Sequence, residues 1–220
     1  MTTKKRRSDR AGRKKLSSPG RPPVATREDL AVFWIAIAAG RSSEAVAADV
    51  TCATGVPVRF VEADLAQVAD CRSVIAAAEE EFGGVDILVN AAGVTARGSL
   101  VDTDEELFDR MFAINTRAPF FLMQDTVKLM IRDGVEGSIV NIGSASALAG
   151  QPFIAPYCAS KGALATLTRN SGYALMRNRI RVNQLNIGWM ASDGEDRIQR
   201  DTVRQRTGKL KREPHSLSDG

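Results

Sequence analysis

Three polar side chains in the second half of the chain, Ser144, Tyr157 and Lys161, have the types and spacing of an acid/base site. Tyr157 and Lys161 are four residues apart, so on a helix they share one face and bring a hydroxyl close to an ammonium. A phenol ordinarily loses its proton at about pH 10, and a neighbouring cation favours the phenolate. The pair is therefore predicted to give or take a proton near neutral pH.

The sequence around these three residues predicts a strand followed by a helix. Ser144 follows the apolar run 138–142, which is typical of a buried strand, whereas Tyr157 and Lys161 lie in the helical stretch 156–177. Ligands of an open α/β sheet bind beyond the carboxyl ends of its strands. Ser144 is therefore expected at the mouth of a cleft that faces the tyrosine.

The same alternation of strands and helices extends through most of the chain and predicts a doubly wound parallel sheet of the α/β class. A kink is expected at Pro119 inside one long helical region. The predicted strands cover 33–39, 56–61, 85–89, 138–142 and 180–185, and the predicted helices cover 43–53, 67–82, 104–133 and 156–177.

The composition narrows the classes of protein and site. The chain has 220 residues, of which 44% are hydrophobic and 25% charged, as in an ordinary globular domain. Its three cysteines form no Cys-x-x-Cys pair and its single histidine is His215, so we expect no metal site, no disulfide framework and no histidine-dependent triad. A cytoplasmic protein is expected. We expect no membrane association, since no apolar run reaches the ~20 residues of a bilayer span.

Charge is concentrated at the start of the chain. Residues 1–21 hold nine lysines and arginines and one acidic residue, Asp9. Such an arm could contact nucleic acid or an anionic membrane, or it could be a solvated extension. We favour the extension and expect no nucleic-acid partner. The predicted organisation is a basic extension at 1–30, one domain at 31–197 and a polar tail at 198–220.

Ser144, thirteen residues before the sequence Tyr157-Cys-Ala-Ser-Lys161, resembles the signature of the short-chain dehydrogenase/reductase family. The resemblance implies a Rossmann-like sheet and an NAD(P)-dependent oxidoreductase that interconverts a secondary alcohol and a ketone. It implies catalytic roles for these three residues and for Asn115. It also implies a homodimer formed through the helices predicted at 104–131 and 156–177.

The resemblance further implies a set of cofactor-binding residues. Structural alternatives exist for two of them, since Asp64 could cap a helix and the turn that starts at Asn90 could simply be tight. The implied residues are Tyr157, Lys161, Asp64, Leu65, Asn90, Ala91, Gly93, Ile187 and Gly188.

Arg41 follows the strand that in this family carries the residue that discriminates between the two nicotinamide cofactors. An acidic side chain there would favour NAD, whereas an arginine accommodates the 2′-phosphate of NADP. NADP is therefore the predicted cofactor, with NAD as the alternative. Ser144, Tyr157 and Gln151 are expected to contact the substrate, a small-molecule carbonyl compound or alcohol. Gln151 together with Arg97 favours a sugar or polyol derivative.

One element of the family pattern is absent. The phosphate-binding sequence Gly-x-x-x-Gly-x-Gly should precede Arg41, but the chain has Ser17-Ser-Pro-Gly-Arg-Pro-Pro23 there. Those glycines bring backbone N–H groups and a helix N-terminus onto the pyrophosphate. The sheet is therefore expected to be incomplete, with its first and last strands missing or replaced. An inactive relative that binds a partner, such as an intact paralogue, remains the alternative function.

Overall fold

The computed structural model describes Gly55 and residues 57–188. The chain divides into two compact units, residues 1–186 and residues 187–220. Only Ile187 and Gly188 of the second unit are described. The predicted strand at 33–39, the helix at 43–53, the basic extension and the polar tail lie outside the described residues.

A three-stranded sheet lies at the centre of the described region. Its strands are β1 (Ile87–Asn90), β2 (Ser138–Ser144) and β3 (Arg181–Ile187), in the order β1-β2-β3. β1 and β2 are parallel, as predicted, with Ile87 opposite Ser138 and Asn90 opposite Asn141. The carboxyl ends of these two strands therefore lie side by side, which is where the sequence predicts the site.

Within residues 57–188, four α-helices accompany the sheet, and local signals in the sequence mark their ends. α1 (Val68–Phe82) ends at Gly83, whose φ of 74° is in the left-handed region that glycine adopts without strain. α2 (Glu105–Phe112) begins after Asp104, whose Oδ1 accepts a hydrogen bond from Leu107 N at 2.8 Å. The other two helices are α3 (Ala118–Asp133) and α4 (Ala155–Ala174), with short 3₁₀ turns at Ala145–Ala147 and Met176–Asn178.

The long helix predicted at 104–133 is interrupted, but not where the sequence suggested. α2 and α3 are joined by a π-helical turn, Ala113–Arg117, and Pro119 lies in the first turn of α3. A proline has no N–H to donate to the carbonyl four residues earlier, and its ring crowds that carbonyl. The carbonyl four residues before Pro119 belongs to Asn115. The hydrogen bond is therefore lost one turn before the proline, and the wider π-helical turn forms around Asn115.

The predicted strand at 56–61 is wrong within the described residues, because residues 57–64 form no strand. Side chains still alternate between half-buried and exposed from Pro57 to Phe60, and Val61 and Ala63 pack against the core. A strand requires a neighbour for its backbone hydrogen bonds, and no strand pairs with this segment in the described region.

The hydrophobic core lies between the sheet and the helices α1, α3 and α4. Alternate residues of β1 and β2, such as Leu88 and Ile139, point into it. Among the residues that the structure describes, no helix is long and apolar enough to cross a bilayer. The buried core residues are Leu65, Cys71, Val74, Ile75, Leu88, Ala118, Leu122, Met123, Leu129, Met130, Ile139 and Ile180.

The placement of Met130 in the core predicts how its replacement changes the free energy of unfolding. Met130 of α3 is fully buried, whereas Met176 is 65% exposed. Met130→Ala should lower the free energy of unfolding by about 2–5 kcal/mol, because it removes buried apolar atoms and leaves a cavity. Met176→Ala, the matched control, should change it by less than about 0.5 kcal/mol. Urea denaturation of both variants measures the difference, and equal effects would contradict the placement of Met130 in the core.

Candidate active site

One face of α4 carries the predicted acid/base pair. The helix begins at Ala155, and Pro156 in its first turn has the fixed φ that suits this position. Lys161, Leu164 and Thr168 recur at helical spacing and are buried, so this face is turned toward the sheet. Tyr157, one turn before Lys161, lies on the same face and is half-buried.

Lys161 is the most unusual ionisable group in the described region. Lys161 is only 5% exposed. Burial lowers the pKa of its ammonium group, because the charged form loses its hydration. Lys161 Nζ donates a hydrogen bond to Ile142 O at 2.9 Å and lies 6.0 Å from the centre of the Tyr157 ring. The structure thus brings the tyrosine and the lysine together, as their spacing predicts.

Ser144 is the last residue of β2 and is buried at the carboxyl end of the sheet. Its Oγ accepts a hydrogen bond from Ser146 N at 3.1 Å, which caps the short turn that follows. The hydroxyl proton of Ser144 is left available for another acceptor. Since Ile142 is two residues earlier on the same strand, one strand end carries both the serine and the carbonyl that holds Lys161.

Asn115 ties the π-helical turn to two other parts of the site. Its Oδ1 accepts a hydrogen bond from Val94 N at 2.9 Å, and its Nδ2 donates to Val94 O at 2.9 Å and to Ser160 Oγ at 3.0 Å. The side chain is fully buried and fully used in these contacts. It therefore joins the loop after β1 to α4 beside Lys161.

Ser160 is a site residue that the sequence reasoning missed. Its Oγ donates a hydrogen bond to Tyr157 O at 2.9 Å while accepting the one from Asn115, and its own carbonyl accepts from Thr116 Oγ1 at 3.0 Å. It is fully buried. Its position in the sequence could have indicated this role. Ser160 is three residues after Tyr157, so on a helix it lies close to the face that carries Tyr157 and Lys161.

The turn after β1 approaches the Lys161 ammonium closely at Gly93. A Cβ built on this glycine would lie 3.2 Å from Asn115 Oδ1 and 3.3 Å from Lys161 Nζ. Only a residue without a side chain fits comfortably here. Gly93 and Ala91 are both exposed, and a glycine leaves the backbone open to close approach.

Asn90, at the start of the same turn, points into the sheet. Its Nδ2 donates to Asn141 Oδ1 at 2.8 Å, and its Oδ1 is buried without a hydrogen-bond partner among the described residues. The contact joins β1 to β2 through side chains as well as through the backbone. Asn90 therefore steadies the strand ends that carry the site.

Asp64 and Leu65 occupy the turn that leads into α1. Asp64 Oδ1 accepts a hydrogen bond from Ala66 N at 2.9 Å, so the carboxylate organises the turn, whereas the N-cap of α1 is Gln67. Leu65 is buried in the core. The Asp64 residue is exposed, whereas the carbonyl of Leu65 accepts a hydrogen bond from Cys71 Sγ at 3.6 Å.

Two loops beside the strand ends are joined by their main chains. Gly98 N donates to Phe153 O at 3.0 Å, and Ala155 N donates to Gly98 O at 2.9 Å. Exposed Arg97 and half-buried Gln151 lie on these two loops. The main-chain hydrogen bonds of Gly98 therefore connect the loop that carries Arg97 to the loop that carries Gln151, and we call this pair of loops the rim.

The remaining predicted residues lie at or beyond the edge of the described region. Arg41 is outside the described residues. Ile187 ends β3 and Gly188 follows it, in the second compact unit.

Comparison with known proteins assigns this arrangement to a family. The family model for short chain dehydrogenase matches residues 25–202. A galactitol 2-dehydrogenase from Agrobacterium fabrum strain C58 is 35% identical over 143 residues, which are 65% of this chain and 55% of the relative. The chain spans a little over half of the length of the curated relatives that it resembles.

Solved structures agree with the sequence matches. An NAD⁺-bound xylitol dehydrogenase has a TM-score of 0.66 and 29% identity, covering 71% of this chain and 60% of its own. A blue fluorescent protein from a metagenomic library, in complex with NADPH, has a TM-score of 0.64 and 33% identity, covering 73% of this chain and 64% of its own. The predicted Rossmann-like parallel sheet is confirmed, and the chain belongs to the short-chain dehydrogenase family.

Proposed function

We propose that this chain carries the reaction centre of an NAD(P)-dependent oxidoreductase that interconverts a secondary alcohol and a ketone. The observation that carries the proposal is the buried Lys161 ammonium, one helical turn from Tyr157 and hydrogen-bonded to Ile142 O beside Ser144. A cation close to a hydroxyl stabilises the negative charge that develops on its oxygen during proton transfer.

Each residue of the proposed centre has one task. Tyr157 donates its hydroxyl proton to the carbonyl oxygen in reduction and takes it back in oxidation. Ser144 donates a hydrogen bond to the same oxygen, where negative charge develops. Lys161 stabilises the tyrosinate with its positive charge, and Asn115 holds the loop and helix around Lys161 so that a proton can be relayed to it.

The turn after β1 is the part of the described structure that fits a nicotinamide cofactor. Exposed backbone at Ala91 and Gly93, with Gly93 against Lys161 and Asn115, suits a group that must approach the main chain closely. Lys161 and Tyr157 would hold its ribose, and Asn90, Asp64 and Leu65 would support the adenosine half. When bound, the nicotinamide ring supplies or accepts the hydride.

We further propose a polyol or sugar substrate. The rim that Gly98 joins carries Arg97 and Gln151, and such groups hydrogen-bond to hydroxyls. Similarity to a galactitol 2-dehydrogenase and to a xylitol dehydrogenase supports the same class. Ser144 and Tyr157 would contact the reacting oxygen while Gln151 contacts a neighbouring hydroxyl.

Homodimerisation through α2, α3 and α4 is also proposed. Phe108 and Phe120 on α2 and α3 are substantially exposed, which is costly for large aromatic side chains. A shallow cleft between α3 and α4, lined in part by Phe120, Val127 and Leu167, lies on the same side.

The absence of a glycine-rich phosphate loop supports a second candidate function. A chain that retains the site geometry but cannot hold the pyrophosphate would be inactive and would act by binding a partner. Cofactor binding separates the two functions, because a ligand that binds only the folded protein must raise its melting temperature.

Tyr157→Phe should abolish turnover while leaving the fold intact. Removing the hydroxyl removes the proton donor, so kcat should fall by about 10²–10⁴-fold. Tyr173, on the same helix and 80% exposed, provides the matched control, and Tyr173→Phe should leave kcat unchanged. Oxidation of galactitol, sorbitol and xylitol, followed through reduced-cofactor absorbance, measures the effect. Wild-type-like activity in Tyr157→Phe would contradict the assignment.

Lys161→Met should abolish activity yet relieve the cost of burying a charge. Because burial lowers the pKa of Lys161 in the folded protein, the unfolded chain binds this proton more tightly. The stability of the wild type relative to Lys161→Met should therefore rise with pH, up to the ordinary lysine pKa of about 10.4. Urea denaturation across this range measures the difference. Lys128→Met, at an exposed lysine, is the control, and a pH-independent difference for Lys161→Met would contradict the prediction.

NADPH should raise the melting temperature more than NADH does. A ligand at one hundred times its Kd stabilises the folded state by about 2.7 kcal/mol. Arg41→Ala should reduce the shift with NADPH and leave the shift with NADH unchanged, since only NADPH carries the 2′-phosphate. No shift with either cofactor would favour the inactive, partner-binding relative, and a larger shift with NADH would contradict the predicted preference.

A further inference from the structure

Gly143 lies between two positions on which the proposed reaction centre depends. The preceding carbonyl, Ile142 O, holds Lys161 Nζ at 2.9 Å, and the next residue is Ser144. The φ angle of Gly143 is not positive, so its backbone conformation does not require a glycine. Space does, because a Cβ at Gly143 would collide with side chains that come from β3.

Gln184 and Asn186 are the residues that occupy this space. Gln184 Nε2 and Asn186 Oδ1 are the two atoms nearest to the position where a Cβ of Gly143 would be. Gln184 Nε2 donates a hydrogen bond to Asn186 Oδ1 at 2.5 Å. This amide pair therefore packs directly against the main chain of Gly143, on the side of the sheet that faces α4.

The other end of the Gln184 amide is held by α4. Thr168 Oγ1 lies 3.1 Å from Gln184 Oε1 and 2.8 Å from Leu164 O, and its one proton is shared between them. Thr168 Oγ1 accepts from Asn141 Nδ2 at 2.9 Å, and Asn141 Oδ1 accepts from Asn90 Nδ2 at 2.8 Å. A row of buried and half-buried hydrogen bonds thus runs from β1 through β2 and α4 to β3.

We propose that Gln184 is a positioning residue for the oxidoreduction proposed above, on which this inference rests. The Gln184 side chain is hydrogen-bonded to Thr168 and Asn186 and packs against the main chain of Gly143. It thereby fixes the position of the strand end Ile142–Ser144. Movement of Gly143 displaces both neighbours, since they are joined to it covalently. The carbonyl that orients Lys161 and the hydroxyl of Ser144 would then shift together. A misplacement of about 1 Å can cost about 10²-fold in rate, and the smaller shift expected at this strand end should cost about tenfold.

A double-mutant cycle on the full chain tests this role. Gln184→Ala leaves the main chain of Gly143 unsupported, and Gly143→Ala inserts a methyl group where the amides already are. Each single change should lower kcat about tenfold with little change in the KM of the cofactor, because alignment and not binding is lost. In the double variant the new methyl fills the vacated space and exposed Asn186 turns outward, so kcat should recover to within about threefold of the wild type.

Gln67→Ala is the matched control, because it removes the same side chain at an exposed position. It should leave kcat unchanged. Gln184→Glu keeps the shape of the side chain but cannot donate to Asn186, so it should also lower kcat and serves if Gln184→Ala does not fold. Melting temperatures of all variants identify changes that act on stability alone.

The outcomes separate this inference from the function on which it rests. Losses in the single variants that multiply in the double variant would overturn the positioning role, as would lower melting temperatures with wild-type kcat. A wild type that oxidises none of galactitol, sorbitol and xylitol with NAD⁺ or NADP⁺ would overturn the proposed polyol oxidation and, with it, this role. An active wild type with partial recovery in the double variant supports both.

Discussion

The placement of one ammonium group, that of Lys161, governs the whole site. Burying a charged amine is costly unless it gains partners, and here its hydrogen-bond partner is a backbone carbonyl at the end of a strand, Ile142 O. That contact joins α4 to β2 at the point where Ser144 projects. Tyr157 is brought over the same point by the geometry of the helix. The geometry of the proposed reaction centre therefore depends on how α4 packs against β2.

The surrounding polar contacts make sense as supports for that packing. Asn115 connects the loop after β1 to α4 through Val94 and Ser160, and Asn141 connects β1 to α4 through Asn90 and Thr168. Each is buried and could not be left unpaired without cost. Both amides thus end on α4, one reaching it from the π-helical turn and the loop after β1, the other from β1 and β2, which limits how far α4 can shift against the sheet.

The sequence predicted the regular elements well where their signal was local. Helices α1 and α4 and strands β1, β2 and β3 lie within a few residues of their predicted bounds. For the described residues 57–61 the expected strand was wrong, because a strand is completed by a neighbour, which no local pattern reveals. Likewise Pro119 indicated a break in the helix, but the interruption lies around Asn115, because the carbonyl of Asn115 is the one to which Pro119 has no N–H to donate.

The sequence by itself determined where the three proposed site residues lie, because helical spacing places Tyr157 beside Lys161 and the end of an apolar run places Ser144 at the edge of a parallel sheet. It also determined the family. Only the tertiary structure decided what holds those groups. The contacts of Ser160 with Asn115, and of Gln184 with Gly143, join residues more than 40 positions apart in the chain. Such contacts depend on how helices and strands pack, and side-chain packing between distant segments has no period that a sequence could display.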